Sequence, residues 1–436
     1  MSAERIAVVG GGWTGLAAAV TLAGAGRAVT VFEAASALGG RARRVELREA
    51  VVDNGQHILL GAYEQTLALL RTVHGTRAET DLFERCRLHL EEPGVFRLRV
   101  PPLPAPWHAL TALLTMRGPT RRERLATVAF ARRLRRLRFQ CSEQLSVAAM
   151  LVDQPASVIS ELWEPLCLSA LNTPPERASA QIFLNLLRRI FAGRARDCDL
   201  LLPRVDLGAL FPEAAARYLG ARGGEIRLGR RVAELALLAE GIGVTSGNGQ
   251  EHFAAALVAV GPHQLGALLG DASAAKGGAR LACAQVARFD YEPIVTAYLG
   301  YPRALTFGQP LLKLDGNPAQ WVFDRGRLGG APGLVAAVIS ADTGAASLAH
   351  ADLVRAIDAQ LRRTIPDLPA PAWSQVIAEQ RATFACTPGL ERPAAGAIGP
   401  HLYLAGDYTD VELPATLEAA TRSGVAAARR MLAARH

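Results

Sequence analysis

The stretch Arg5-Ile6-Ala7-Val8-Val9-Gly10-Gly11-Gly12-Trp13-Thr14-Gly15 passes from a short apolar run straight into a glycine-rich turn. An apolar run bounded by glycine, with no polar residue alternating through it, suits a strand buried on both faces, as in a parallel sheet. Residues 13–25 follow as an Ala-rich helix and residues 28–33, Ala-Val-Thr-Val-Phe-Glu, as a second strand, so the chain opens on a βαβ unit. Gly10, Gly12 and Gly15 are spaced as GxGxxG across the strand-to-helix turn. In that spacing the first glycine permits the tight turn, the second admits a pyrophosphate against the backbone, and the third lets helix and strand pack closely. The helix starting near Trp13 and Thr14 points its free N–H groups and positive dipole end at the phosphates. Glu33 closes the second strand, where its carboxylate can accept hydrogen bonds from ribose hydroxyls, with Ala34 beside it. The unit predicts a dinucleotide site, NAD or FAD by this motif alone.

Two further motifs decide between them. Gly39-Gly40-Arg41-Ala42-Arg43 follows Glu33 closely; two glycines let the chain approach the cofactor, and Arg41 can meet a phosphate oxygen. Near the other end a strand, His401-Leu402-Tyr403-Leu404-Ala405, runs into Gly406-Asp407 and then into a helix expected from about Leu413-Pro414-Ala415-Thr416-Leu417. Pro414 suits a first helical position because its missing N–H has no partner there anyway. Asp407 can bind a ribityl hydroxyl, and a helix N-terminus beneath the flavin pyrimidine edge would stabilise the anionic reduced ring. FAD is therefore the expected cofactor. Gly55, Gln56, His57 and Val232 complete the expected set of contacts to it.

With 436 residues, half of them apolar, the chain can bury a large core and divide into two or three domains. The expected class is α/β: a Rossmann-like FAD domain of the GR2 type built from residues 1–95, 201–274 and 391–436. Interleaved with it are a helical, membrane-facing insertion (96–200) and an α+β substrate domain (275–390). From about residue 60 the pattern turns helical, with runs near 120–140, 143–153, 156–170 and 178–192, and a Pro-rich break at 101–106. Strands are expected at 225–228, 256–260, 292–300 and 333–340, with a helix near 350–363. No apolar run reaches the roughly 18 residues of a membrane span, and no secretion signal precedes Ile6, so a cytoplasmic protein is expected. Six cysteines without CxxC or metal-ligand spacing read as reduced, and no metal is expected. The net charge of +8 comes almost wholly from arginine, since lysine occurs only at Lys276 and Lys313. Such a balance favours anionic partners, and no nucleic-acid module accompanies it.

The βαβ unit, the GGRxR segment and Leu404-Ala405-Gly406-Asp407-Tyr408 together resemble the flavin amine oxidase and phytoene-desaturase superfamily. Within it the chain looks most like the squalene-associated FAD-dependent desaturases, understood as hydroxysqualene dehydroxylases. The segments that carry this are Asp53–Tyr63, Leu162–Leu166, Ala170–Pro174 and Leu413–Ala420, spread over nearly the whole sequence. The resemblance implies a lipid substrate, hydroxysqualene, whose hydroxyl is replaced by hydride. The reaction needs hydride from reduced flavin and a proton for the departing oxygen. Candidate acids are His57, expected beside the isoalloxazine, and Glu164, a carboxyl expected among apolar groups, where it stays protonated near neutrality.

Eight arginines fall within residues 121–138, while Ala126, Phe130, Leu134, Leu137 and Cys141 share one helical stripe. Such a helix either packs its stripe on the protein or lies on an anionic bilayer; the apolar stretch 106–116 before it offers the same choice. Peripheral contact with the inner face of the cytoplasmic membrane is the expectation. A carotenoid-type desaturase is the rival on the same architecture, and an amine oxidase ranks below it, because Tyr408 supplies at most one flavin-facing aromatic. A non-redox prenyl-lipid chaperone is the alternative of another class. No second dinucleotide fingerprint identifies an electron donor.

Overall fold

Six strands from distant parts of the chain meet in one sheet, in the order Glu225–Arg227, Val29–Phe32, Ile6–Val9, Ala255–Val258, Leu402–Leu404, Gly396–Gly399. The first five run parallel, with Ile6 opposite both Val29 and Ala255, and Val9 opposite Phe32 and Val258; the sixth is antiparallel. Every residue of Ile6–Val9, Val29–Phe32 and Ala255–Val258 is buried. Helices cover one face, and residues Val232, Ile242, Val244 and Phe253 of a small antiparallel sheet cover much of the other, Phe253 meeting Phe32 edge-on at 5.8 Å, so both faces are dry and these strands read as unbroken apolar runs. The computed structural model describes residues 5–247, 249–270, 277–305, 307–365 and 367–434; Lys276 lies outside them.

The crossover helix Trp13–Gly24 packs on the C-terminal helix Leu417–Ala433 at very short range. A Cβ on Gly424 would stand 2.3 Å from the Thr14 carbonyl oxygen, and Ala17, Ala18 and Ala19 are fully buried. Small residues there let the two ends of the chain close on each other. A three-stranded antiparallel sheet (Val232–Leu237, Ile242–Ser246, Gly249–Phe253) flanks this body.

The second large sheet has the order Leu311–Lys313, Trp321–Asp324, Leu334–Ser340, Tyr291–Gly300, Trp373–Phe384, all antiparallel. Alternate residues Val295, Ala297 and Leu299 face the helix His350–Thr364 through Leu353, Ile357 and Leu361, while Tyr298 joins the central core on the other face. This is the period-two division of a strand between two layers.

Several expectations change. The chain after residue 60 is not continuously helical: strands Phe83–Cys86, His89–Glu92 and Phe96–Arg99 intervene. Leu88, Leu90, Phe96, Leu98 and Val100 alternate into the core, a pattern too short to stand out against its helical surroundings. The run expected near 143–153 contracts to Val147–Met150. The edge strand Trp373–Phe384, with exposed Ser374, Gln380 and Arg381, carries too many polar residues to read as a strand. The C-terminal helix starts at Leu417, later than expected, because Thr416 caps it: Thr416 Oγ1 accepts from Ala419 N at 3.1 Å. Pro414 therefore precedes the helix and is not its first residue.

The stripe on helix Arg121–Arg136 packs on the protein. Phe130 and Leu134 are buried, Phe130 meets Trp163 edge-on at 5.7 Å, and Ala126 and Cys141 are half-buried, leaving Leu137 of the five in the open. Among the described residues no helix is long and apolar enough to cross a membrane.

Candidate functional site

The glycines of the first turn are needed for different reasons. Gly10 has φ +111°, and a Cβ there would sit 2.6 Å from the Ala259 carbonyl oxygen; at Gly15 it would sit 1.9 Å from the Gly10 oxygen. Both are fixed by crowding within the protein. Gly12 is the exception, since its Cβ would meet nothing nearer than Gly40 Cα at 3.8 Å. The protein leaves that side open, as a backbone approached by a pyrophosphate requires. Gly39 N donates to the Gly11 oxygen at 2.9 Å, laying the Gly39–Gly40 segment along the rim of the same opening. Trp13 is buried, and its Nε1–H donates to Ala42 O at 3.0 Å, so its side chain anchors the GGRxR segment. What Trp13 and the buried Thr14 can offer a phosphate is backbone N–H.

Glu33 accepts from Gly11 N at 2.7 Å and from Ala35 N at 2.8 Å. A carboxylate has about four lone-pair sites, which leaves room for ribose hydroxyls. Gly229 N and Arg230 N donate to Ala35 O and Glu33 O, bringing the strand that begins at Val232 to this adenosine end, next to the exposed Ala34.

Arg41 joins the two ends of the sequence. Its Nη2 donates to Asp407 Oδ2 and its Nη1 to Ala382 O, both at 2.7 Å. Asp407 is buried, while the Arg41 side chain is 37% exposed. The pair bridges motifs 366 residues apart. The expected Arg41–phosphate and Asp407–ribityl contacts thus start from a salt bridge between the two. Opposite, Asn54 Nδ2 donates to Arg41 O at 3.0 Å and Glu379 Oε2 at 3.3 Å. Gly55 passes over the second sheet, 3.8 Å from Thr296 Oγ1 measured from the position of an added Cβ. Asp53 holds the segment from behind: Oδ1 accepts from Leu207 N at 2.7 Å, Arg325 lies 4.0 Å away, and the Asp53 carbonyl accepts from Tyr298 OH. Burial pushes the Asp53 carboxyl up to about 6.

His57 Nδ1 lies 2.8 Å from Gly55 O. A carbonyl only accepts, so Nδ1 carries the proton. Burial above all, with the nearby Arg41 charge, lowers the His57 pKa, opposed by that hydrogen bond. The ring is therefore neutral with a bare Nε2, an acceptor. Gln56 Nε2 donates to His57 O at 3.2 Å, and its Oε1 is buried without a partner among the described residues.

Glu164 differs from its expected setting. It opens the helix Glu164–Leu171 on the exposed side, while Leu162 and Trp163 of the preceding π-helical turn take the buried positions. Partial desolvation, then Glu176, still raises its pKa. Among the described residues no hydrogen bond joins it to the cradle. Tyr408 is fully buried, with its hydroxyl on Val260 O at 3.3 Å, so it presents no aromatic face to a substrate.

Sequence reasoning passed over Arg392 and Glu418. Arg392 donates to Leu413 O and Val411 O at 2.8 and 2.7 Å, fixing the loop that leads through the buried Pro414 and half-exposed Ala415 and Thr416 to Leu417. Glu418 is buried and accepts from Gln65 N, Thr66 N and Thr66 Oγ1 at 2.8–3.0 Å. It caps the helix Glu64–His74 and ties the segment after His57 to the C-terminal helix. A glutamate in an Ala-rich first turn was the available signal, though it reads equally as ordinary dipole chemistry.

The family model of flavin-containing amine oxidoreductases matches residues 13–432. The chain belongs to that family. Its cofactor is FAD and it is a flavin-dependent oxidoreductase, which agrees with the open Gly12 face and the joined motifs. A hydroxysqualene dehydroxylase of Rhodopseudomonas palustris is 29% identical, over 99% of this chain and 99% of its own length. A probable zeta-carotene desaturase of Synechococcus elongatus is 24% identical, over 53% of this chain and 51% of its own. An oxidoreductase of Methanosarcina mazei has the same fold, with a TM-score of 0.73 at 16% identity, covering 97% of this chain and 99% of that one.

Proposed function

We propose that this flavoenzyme reductively dehydroxylates a triterpene alcohol of the hydroxysqualene type to squalene. The observation that carries the proposal is end-to-end similarity to a hydroxysqualene dehydroxylase, against similarity over about half the chain for the desaturase. The carbon–oxygen bond breaks, hydride from the reduced flavin forms the new carbon–hydrogen bond, and a proton converts the departing oxygen to water. When bound, FAD supplies the hydride chemistry; the protein positions, desolvates and handles the proton.

In this reading His57 Nε2 accepts the substrate O–H and aligns the carbon–oxygen bond, since a neutral ring protonated on Nδ1 has no second proton to give. Glu164, the other candidate acid, has a raised pKa but stands on the exposed side of its helix, so the geometry favours water rather than Glu164 as the proton source. The substrate reaches the protein from a bilayer. Trp107, Leu114 and Leu137 are exposed in the same helical lobe as the exposed Arg132, Arg133, Arg135, Arg136 and Arg138. Apolar side chains among arginines suit an anionic inner-membrane surface, each arginine contributing about 1 kcal/mol.

The test is anaerobic mixing of photoreduced holoenzyme with hydroxysqualene, following flavin reoxidation and squalene together. Both should appear in equal amounts; a flavin that stays reduced rejects the proposal. Oxidised enzyme that is bleached by phytoene instead would establish the desaturase reading.

A further inference from the structure

An apolar cavity separate from the flavin cradle opens in the helical lobe. It has a volume of about 120 Å³ and lies between the hairpin strands His89–Glu92 and Phe96–Arg99 and the helices Trp107–Thr115, Arg121–Arg136, Glu164–Leu171 and Ala180–Phe191. Leu90, Leu110, Leu134, Trp163 and Phe191 are among its walls. No residue of the phosphate turn, the Arg41 segment, the His57 segment or the 406–417 loop lines it. The two charged residues that do are Arg132 and Arg135, one helical turn apart and both exposed, so they stand at its mouth. Neither has an ion-pair partner among the described residues; the pair on their stretch of helix is Arg133 with Asp153 at 3.9 Å.

The chemistry of such a site is specific. An apolar interior walled by leucine and aromatic side chains favours a hydrocarbon chain over water. A neutral hydrocarbon has no use for two unpaired guanidinium groups at the entrance, whereas a carboxylate or phosphate head does. The wall is also braced from behind. Lys313 is buried, contacts Glu92, and donates to Glu161 Oε2 at 2.7 Å. It links the second sheet to the hairpin and to the π-helical turn Ile159–Trp163, which sends Glu161 to the lysine and Leu162 and Trp163 to the cavity.

We propose that this cavity binds one single-chain anionic amphiphile, its hydrocarbon tail inside and its head on Arg132 and Arg135. The site is independent of the dehydroxylation proposed above, because binding there is read without turnover.

The probe is monomeric 9,10-dibromostearate added to holoenzyme, with tryptophan fluorescence as the readout. Quenching should be strong in the wild type and in Trp107→Phe, and largely lost in Trp163→Phe, since Trp163 lines the cavity and Trp107 lies outside on the surface. Competing saturated fatty acids should gain roughly fourfold in affinity per added methylene. Arg132→Gln with Arg135→Gln, both at exposed positions, should weaken the acid roughly fivefold or more and leave the matching long-chain alcohol unaffected. Quenching that disappears in Trp107→Phe rather than Trp163→Phe would mean surface adsorption and overturn the proposal. So would affinity indifferent to chain length or to the two arginines. Quenching obtained only with brominated phosphatidylglycerol vesicles, and never with the monomeric acid, would overturn the single-chain assignment.

Discussion

The flavin cradle and the helical lobe use opposite means to shape a binding site. In the cradle, backbone approaches backbone so closely that single hydrogen atoms are the only side chains tolerated: Gly15 against the Gly10 oxygen, Gly424 against Thr14. In the lobe the shape comes from large side chains set around an empty apolar space and from arginines left outside it. A site made by backbone proximity is rigid and intolerant of one methyl group. A site made by side chains is adjustable and loses affinity in small steps.

Gly15→Ala should break this contrast most severely. The new Cβ would be 1.9 Å from a carbonyl oxygen, and relief requires moving the strand or the helix, costing about 3 kcal/mol or more. No yellow protein should be recovered, measured as flavin absorbance per soluble chain. Gly12→Ala should separate folding from cofactor binding, because its Cβ has 3.8 Å of clearance within the protein. The apoprotein should melt like the wild type, while titration with FAD should show at least a tenfold weaker complex. If Gly12→Ala binds FAD normally, the open face of Gly12 is not where the pyrophosphate lies.

The same contrast explains what the sequence reveals. The cradle was legible because its demands are local: strand, glycine turn, helix, strand and Glu33 lie within thirty residues, with Gly10 and Gly15 fixed by crowding and Gly12 by the open side it leaves. The joining of Arg41 to Asp407 was legible only as two motifs; that they form one salt bridge depends on a parallel sheet ordered by distant segments. In the lobe, the burial of Phe130 and Leu134 was undecidable from periodicity, because a helix facing lipid and one facing Trp163 have the same stripe. Hairpin strands of four residues alternate too briefly to stand out, and the buried Lys313 with Glu92 and Glu161 carries no sequence pattern at all, since its partners are set by tertiary contact.

Asp53 sharpens the comparison from the cradle's side, because it braces the His57 segment with a buried carboxyl, as Lys313 braces the lobe's wall with a buried amine. Its carboxyl stands near 6 in the folded chain against 3.8 for the ordinary group. As pH rises from about 4 to 6 the unfolded chain releases this proton first, so the group's contribution to stability falls across that window, by up to about 3 kcal/mol. Asp53→Asn should keep the bond from Leu207 N and remove that fall. Urea unfolding at pH 4.5 and 7 gives the comparison; an unchanged difference between the two would mean that Asp53 is ionised throughout.

His57→Ala should lower single-turnover reduction of the substrate alcohol roughly a hundredfold, the low end of the usual range for a positioned acid–base group, at equal flavin content. Because burial lowers the His57 pKa, the ring is already neutral above the ordinary histidine value, and the wild-type rate should show no inflection from it between pH 7 and 8. Glu164→Gln tests the other candidate acid, and a rate unchanged in both variants would remove both residues from the reaction.

The smallest effects belong to the lobe's outer surface, where no single contact dominates. Trp107→Ser with Leu114→Ser removes two exposed apolar side chains, 61% and 44% exposed, that the protein does not use for packing. Co-sedimentation with anionic vesicles should fall several-fold while flavin content and melting temperature stay as they are. Raising salt from 0.1 to 1 M shortens the screening length from about 10 to 3 Å and should release most of what remains, since the arginines then act alone and from outside the bilayer. Binding that survives both changes would place the membrane-facing surface elsewhere. Loss of flavin in the double variant would instead mean that cradle and lobe are mechanically coupled, and that their opposite construction does not keep their functions apart.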